Sequence, residues 1–169
     1  MPVTINGSGS IAGLSAGGID GTKVVTAAAQ PAGAVLQVKQ SIRNEVATKT
    51  GSGFAAIPGL SVSITPSSAS NKILIHVELG TVETTGNQYG HFIRLYKGGS
   101  HLTGASAINV SSRNACFLGG RTTNNNHSQG YSGSYLDTAG GTSAITYAVY
   151  WNAEGGYGTL YLNSERNNP

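Results

Sequence analysis

The residues that decide the fold are Leu60–Thr65, which read LSVSIT, and Lys72–Val82, which read KILIHVELGTV. In both stretches apolar residues alternate with polar ones, and Leu74 is an exception. Such alternation is typical of a β-strand that buries one face. We therefore predict two amphipathic strands joined by a turn over residues 66–71. The side chains predicted to point inward are Leu60, Val62, Ile64, Ile73, Ile75, Val77 and Leu79.

Further segments with the character of strands lie on both sides, separated by turn residues. The segment AVLQVKQSI places Leu36, Val38 and Ile42 on one face, and Gly98-Gly99 is typical of a tight hairpin. About eight or nine short strands predict an all-β fold, an antiparallel two-sheet sandwich of jelly-roll type. An immunoglobulin-type sandwich is less favoured, because its Cys–Trp–Cys framework is absent from the sequence. The additional strands are predicted over residues 34–42, 91–97, 130–137, 144–152 and 158–163.

The first 33 residues differ in character from the remainder of the chain. Their apolar residues are widely separated by Gly, Ser and Ala, so this stretch buries too little apolar area to fold by itself. It is either a flexible tail or a segment ordered by a partner or by other copies of the chain. We predict an extended segment over residues 1–33 and a sandwich domain over residues 34–169. The apolar residues of the extended segment are Ile5, Ile11, Leu14 and Ile19.

Composition argues against several classes of protein. Charged residues make up 10% of the 169 residues, whereas 25 Gly, 19 Ser, 16 Thr and 13 Asn form more than two fifths of the chain. A coiled coil needs many more Glu, Lys and Leu residues. The basic residues form no run or stripe, which argues against binding to nucleic acid. We see no secretory signal and no apolar stretch long enough for membrane insertion.

Motifs for catalysis or metal binding are weak. Residues 13–17 match the G-x-S-x-G pattern but lack the flanking strand and helix of a nucleophile elbow. Glu78 and Glu83 are expected on the outward face of one strand, so a glycosidase pair stays open as an alternative. The four histidines show no metal-ligand spacing, although copies of His127 on a threefold axis would be an alternative route to a metal site. We predict no enzyme activity, no cofactor and no metal.

Two sets of side chains are candidates for intermolecular contacts. The strand at 144–152 has aromatic or apolar residues on both faces, so Tyr147 and Trp151 are candidates for contacts between copies, with a place in the core as the alternative. Aromatic rings beside amide side chains suit the binding of sugars, since stacking combines with hydrogen bonds. The candidates for such a surface are Tyr89, His101, Asn124, Asn125, Asn126, His127 and Tyr131.

Several stretches together resemble phage tail-fibre-like proteins, a family common in cyanobacterial viruses. The opening TINGSGSIAGLSAGG is similar to the start of many of these proteins, and LSVSITPSSASNKILI is the most telling stretch. The resemblance covers most of the chain in order. The other similar stretches are AVLQVKQ, FIRLYKGG, YLDTAGGTSAITY and GTLYLN.

The resemblance implies a structural protein of the virion tail, assembled in the host cytoplasm as a homotrimer. Its N-terminal segment would dock on tail or baseplate proteins. The sandwich would then form the distal end and bind a host surface glycan or an outer-membrane component. The alternatives are a fibre-borne glycan depolymerase and a free carbohydrate-binding module.

Overall fold

A computed structural model of the chain describes residues 33–85, 90–106, 115–121, 128–154 and 158–164. The chain divides into two units, residues 1–38 and residues 39–169. In the first unit, the described residues 33–38 adopt neither helix nor strand. The predicted attachment role of residues 1–33 stays a prediction, because its candidate residues lie outside the described ranges. These candidates are Ile5, Ile11, Leu14 and Ile19.

The second unit is an all-β sandwich of two antiparallel sheets. The strands within the described residues are β1 (Ala47–Thr50), β2 (Ala55–Ile64), β3 (Lys72–Thr84), β4 (Gly90–Lys97), β5 (Ser100–His101), β6 (Leu118–Arg121), β7 (Gln129–Thr138), β8 (Ile145–Ala153) and β9 (Thr159–Leu162). One sheet has the order β1-β9-β3-β7, and the other has the order β2-β8-β4-β5 with β6 also paired to β4. Apart from β5 and β6, consecutive strands alternate between the sheets. This is the topology of a jelly roll, so the predicted fold class is confirmed.

The alternation predicted for β2 and β3 is confirmed by their burial. Along both strands the predicted inward residues are buried or half-buried, and the polar residues between them are exposed. Leu74, the residue out of phase, is exposed and lies directly opposite the exposed Leu136 of β7. The hairpin at Gly98-Gly99 is also confirmed, since both glycines have positive φ and β5 pairs with β4. Positive φ is the conformation that this tight connection requires.

The strand predicted over residues 34–42 is not formed. Residues 34–44 adopt neither helix nor strand, and Val35, Leu36, Val38 and Ile42 are exposed. Alternation of apolar and polar residues establishes which side chains share a face, but a strand also needs a neighbouring edge to pair with. The prediction of a strand at this position in the single chain was therefore wrong.

The core lies between the two sheets and is centred on β8. Trp151 is 2% exposed and belongs to the main apolar cluster, together with Ile93, Leu95 and Leu160. Tyr147 is equally buried, in a second cluster with Ile73. Both residues predicted for contacts between copies thus pack inside their own chain, which was the alternative interpretation. Their predicted contacts between copies are therefore not supported, and oligomerisation itself stays a prediction.

Three partly or fully buried polar side chains, those of Asp137, Lys97 and Tyr147, connect the two sheets beside the second cluster. The Tyr147 hydroxyl donates a hydrogen bond of 2.6 Å to Asp137 of β7, and the Lys97 ammonium lies 2.7 Å from the same carboxylate oxygen. Burial opposes ionisation of Asp137, but the hydrogen bonds from Lys97 and Tyr147 outweigh it and lower the pKa of the carboxyl. Burial raises the pKa of Tyr147, and its bond to Asp137 adds to this rise. The group joins β7 to β4 and β8.

Arg43 anchors the irregular segment to the sandwich. Its guanidinium donates hydrogen bonds to the backbone carbonyls of Glu45 (3.1 Å), Val46 (2.7 Å) and Pro58 (2.9 Å). The Arg43 carbonyl accepts a further bond of 2.9 Å from the side chain of Asn163, which follows β9. The planar fork of arginine suits several carbonyls at once. From residue 43 onward the chain is therefore held in place by its own sandwich.

Replacing Arg43 by Ala is expected to lower the free energy of unfolding by about 2 kcal/mol, because three carbonyls lose a charged donor. Arg43→Lys is expected to recover less than half of this loss, since an ammonium cannot satisfy three separated carbonyls with one planar group. Chemical denaturation followed by circular dichroism measures both values. Lys72→Ala is the control, because Lys72 is exposed and makes one side-chain hydrogen bond. Equal losses in Arg43→Ala and Lys72→Ala would contradict the anchor.

Candidate functional site

The outer face of the five-stranded sheet carries a concentration of aromatic and cationic side chains. In β4 and β8 the inward residues include Ile93 and Leu95 of β4 and Trp151 of β8. Alternation therefore places Arg94, Tyr96 and Tyr150 on the outer face. Arg94 lies directly opposite Tyr150, and Tyr96 lies opposite Ala148 on one side and His101 on the other. Neighbouring strands thus bring these side chains into one continuous row.

The rings in this row contact each other. Tyr96 and Tyr150 stack with their centroids 3.7 Å apart and their planes inclined by 15°. The ring of His101 lies 5.8 Å from Tyr96 at an angle of 33°, and its Nε2 is 2.8 Å from the Ser106 hydroxyl. We call Tyr150, Tyr96 and His101 the aromatic row. Because each ring is fixed by its neighbour, the row presents a surface with little side-chain freedom left to lose on binding.

Arg94 and Phe54 extend the row toward the start of β2. The Arg94 guanidinium carbon lies 3.8 Å from the centroid of the Phe54 ring, and its Nε donates a 2.7 Å hydrogen bond to the carbonyl of Ala115. Among the described residues, Arg94 forms no ion pair with a carboxylate. Burial, and then the positive charge of Arg94, lower the pKa of His101, so the imidazole is neutral at neutral pH. The face therefore carries one fixed positive charge beside aromatic rings.

The side chains of this arrangement have the chemistry to contact a ligand. Within the described residues, no hydrogen bond engages the hydroxyl of either Tyr96 or Tyr150, so both hydroxyls can donate to or accept from a ligand. Aromatic rings give apolar contact to the C–H faces of a sugar, and a guanidinium binds carboxylate or sulfate. The chemistry of the aromatic row is that of a surface that recognises polar molecules with apolar faces.

A second polar cluster lies between the sheets and holds Tyr131, one of the predicted sugar-binding residues. The Tyr131 hydroxyl donates a 2.7 Å hydrogen bond to the Gln129 side chain and is also bonded to Nε2 of His91. Because the hydroxyl has a single proton, Nε2 of His91 must donate to it, which assigns the tautomer. The Nδ1 atom of His91 is then an acceptor, and it has no hydrogen-bond partner among the described residues.

Burial keeps both partners of this cluster neutral. His91 is 1% exposed, and burial lowers its pKa to about 4. Burial and, to a smaller extent, the nearby Cys116 raise the pKa of Tyr131 to about 12. The two rings meet edge to face with their centroids 5.1 Å apart. The cluster therefore joins β4 to β7 through neutral hydrogen bonds, and it is sensitive to protonation of His91.

The two predicted sugar-binding residues that the structure describes, His101 and Tyr131, lie at different places. His101 lies in the aromatic row, whereas the hydroxyl of Tyr131 is engaged between the sheets. The remaining candidates lie outside the described residues, so their role stays a prediction, as does that of His101 and Tyr131. These remaining candidates are Tyr89, Asn124, Asn125, Asn126 and His127. The motif at residues 13–17 also lies outside the described ranges.

The two carboxylates considered for a glycosidase lie on the same sheet in different surroundings. Glu78 is exposed, whereas Glu83 is 1% exposed and accepts a hydrogen bond from the Ser128 hydroxyl. Glu83 lies opposite Tyr161 of β9, on the outer side of the four-stranded sheet. Five residues of strand separate the two α-carbons by roughly 15 Å. Glycosidase pairs have their carboxyl groups about 5 to 9.5 Å apart.

Most of the residues that form this face were not among the predicted binding residues. Tyr96, Tyr150, Arg94 and Phe54 belong to no sequence motif, and Tyr96 and Tyr150 lie more than 50 positions apart in the chain. The alternation within RLYK and YAVYW does place Arg94, Tyr96 and Tyr150 on the face opposite the inward residues of their strands. That parity, combined with pairing of the two strands, was the available signal.

Comparison with known proteins gives no relative of this chain, since neither a protein-family description nor a curated protein matches it. Among the described residues, no group of three or more His, Cys, Asp or Glu side chains is placed to hold a metal ion. The same described residues contain no helix with the length and apolarity needed to cross a bilayer.

Acidification is expected to destabilise the chain through His91. An unfolded histidine takes up a proton near pH 6.5, whereas the folded His91 does so only near pH 4. The unfolded state therefore binds more protons between these values, and the free energy of unfolding falls as the pH is lowered through this window. The loss attributable to His91 is about 3 kcal/mol at pH 4.

His91→Gln is expected to flatten this part of the pH profile, because glutamine can donate to Tyr131 but does not titrate. Unfolding by urea at pH 7, 6, 5 and 4 gives the profile. His76→Gln is the matched control, since His76 is exposed on the outer face of the four-stranded sheet. A profile that flattens in His76→Gln and keeps its slope in His91→Gln would disprove the assignment.

Proposed function

We propose that this chain is an adhesive structural protein, a phage tail fibre or tail tip that contacts the surface of the host cell. The aromatic row on the outer face of the five-stranded sheet is the observation that carries this proposal. It combines stacked rings, tyrosine hydroxyls that make no hydrogen bond to another described residue, and the charge of Arg94 on the outer face of the sheet. The ligand proposed for it is a host surface glycan. The resemblance of the sequence to tail-fibre-like proteins supports the same assignment.

The proposed setting is a homotrimer that is attached to the virion tail or baseplate by residues 1–33. Several copies of a weak site then act together, so that modest affinity for each glycan sums to firm attachment. A chain with 10% charged residues suits an assembly of this kind, because unpaired charges are costly to bury in an interface.

Adhesion is favoured over the two alternatives by particular observations. The α-carbons of Glu78 and Glu83 lie roughly 15 Å apart along one strand, and one carboxylate is exposed whereas the other is buried. Leu74 and Leu136 are exposed and lie directly opposite each other on neighbouring strands, and an exposed apolar patch favours association with other chains. We therefore propose a binding role without catalysis, as part of an assembly.

Tyr150→Ala is expected to reduce binding of the protein to host cells at least tenfold, because the substitution removes one half of the stacked pair. Its fold is expected to persist, since Tyr150 points away from the core. Flow cytometry with fluorescently labelled protein measures binding to cells, and a glycan array identifies the sugar. Tyr161→Ala is the matched control, a tyrosine on the outer side of the other sheet.

The adhesion experiment also separates the alternatives. Equal binding by Tyr150→Ala and Tyr161→Ala would contradict the proposed surface. Release of oligosaccharides from host polysaccharide, lost on Glu78→Gln, would support the depolymerase instead. A species near the single-chain mass of 17.2 kDa at micromolar concentration would favour the free module.

Removal of residues 1–33 is expected to leave a folded β sandwich and to prevent incorporation into phage particles. The strands and both apolar clusters lie within residues 47–162, so circular dichroism and thermal unfolding should change little. Purified particles from infected cells, probed with an antibody to the sandwich, measure incorporation. Particles that retain the truncated chain would disprove the attachment role of this segment.

A further inference from the structure

One edge of the four-stranded sheet is unpaired along most of a long strand. β3 runs for 13 residues, and β7 pairs with it from Lys72 to Val82 on one side. On the other side β9 pairs only with Val82–Thr84. Within the described residues, β3 therefore has a single strand neighbour between Lys72 and Gly80. An exposed strand edge is a template for pairing with another chain.

An apolar cavity of about 140 Å³ lies beside this edge. Its walls include Leu60 and Val62 of β2 and the inward side chains Ile75, Val77 and Leu79 of β3. A dry apolar cavity of about 150 Å³ accommodates a benzene molecule, so this space suffices for an aliphatic side chain. The unfilled space in the core therefore lies beside the part of β3 that has no neighbouring strand on the side of β9.

The chain exposes a segment with the pattern that this edge requires. Val38 is 79% exposed and Ile42 is 67% exposed, and Leu36 on the same parity is about half exposed. The opposite parity carries Gln37, Lys39 and Ser41. A strand over residues 34–42 paired with β3 would direct its apolar parity toward the cavity and its polar parity toward the outer face, because paired strands keep their two faces aligned.

Charge favours the same pairing. The outward face of β3 at this edge carries the exposed Glu78, and the polar parity of the segment carries the exposed Lys39. Both residues already line the rim of the cavity. Opposite charges placed across a strand pair stabilise it, and they also select the register.

Residues 39–42 of the same chain form no strand and do not pair with this edge. Residues 39–41 lie at the rim of the cavity without forming a strand, and Arg43 fixes the chain immediately afterwards. In that position Ile42 remains mostly exposed. In a second copy, Arg43 anchors the segment to that copy's own sandwich and not to this one.

We propose that residues 34–42 of one copy pair as a β-strand with the Lys72–Gly80 edge of β3 in a second copy. This is strand addition, in which backbone hydrogen bonds give affinity and alternate side chains fill a pocket. Val38 of the entering strand occupies the cavity, and Lys39 lies beside Glu78 of the receiving copy. The proposal rests on the proposed function only in that it needs the copies to assemble.

Crosslinking between two cysteine variants tests the pairing directly. Cys116→Ser removes the native thiol in both chains, Lys39→Cys is placed in one chain, and Glu78→Cys is placed in a co-expressed chain of different mass. Mild oxidation is expected to give the mixed disulfide in most of the assembled protein. Ser132→Cys replaces Glu78→Cys as the matched control, because Ser132 lies opposite Glu78 but on β7, away from the open edge.

Each result of this experiment decides for or against the proposal. The mixed disulfide with Glu78→Cys and its absence with Ser132→Cys support pairing between copies. When both cysteines are placed in one chain, a disulfide confined to that chain shows that the segment closes its own edge and overturns the proposal. Absence of any disulfide in an assembled protein overturns it as well.

Two valines of opposite parity give an independent test through the mass of the assembly. Val38→Asp is expected to reduce the oligomer to the single chain, because a charge would enter the apolar cavity. Val35→Asp is expected to leave the mass unchanged, since Val35 has nearly the same exposure but the opposite parity. An equal effect of both substitutions overturns the proposal. Circular dichroism verifies that both variants are folded.

Failure of this proposal is distinguishable from failure of the adhesive role. If the mixed disulfide forms but neither Tyr150→Ala nor Tyr161→Ala affects cell binding, the pairing stands and the aromatic row is not the adhesive surface. If Tyr150→Ala loses binding and Val38→Asp leaves the oligomer intact, adhesion stands and the pairing is wrong.

Discussion

Two sheets share one layer of side chains, and the arrangement of this molecule depends on that constraint. Packed sheets lie about 10 Å apart, so each strand can contribute only one of its faces to the interior. Trp151, at the centre of this layer, is enclosed by residues from both sheets. Every other face must point outward, and in the five-stranded sheet it carries Tyr96 and Tyr150. The core and the candidate binding surface are therefore opposite faces of the same strands.

The parts of this fold that could be predicted depend on local alternation. The period of two in β2 and β3 predicts their inward side chains, and the hairpin at Gly98-Gly99 follows from the backbone freedom of glycine. Residues 34–42 show the same period, yet they form no strand, because the pattern does not specify a partner edge. The sequence predicts faces well, but strand pairing depends on contacts between distant parts of the chain.

The polar cluster of His91 and the aromatic row could not be predicted, because contacts between distant parts of the chain bring their residues together. His91, Tyr131 and Gln129 belong to strands of different sheets, and only the stacking of the sheets brings the His91 ring against the Tyr131 hydroxyl. Glu83 reaches the outer side because the register shifts between Leu79 and Val82, which changes the parity of β3. A shift of one residue exchanges the faces of a strand. The burial of His91 and Glu83 therefore depends on how their strands pair and stack, and not on the residues next to them in the sequence.

The edge strand β2 contains Pro58 and a change of register between Ala56 and Ser61, where Gly59 has positive φ. Proline supplies no backbone donor, and a bulge twists the edge away from a flat ladder. Both features discourage a further strand from continuing the five-stranded sheet. The irregular edge of β2 thereby protects this side of the molecule from edge-to-edge aggregation.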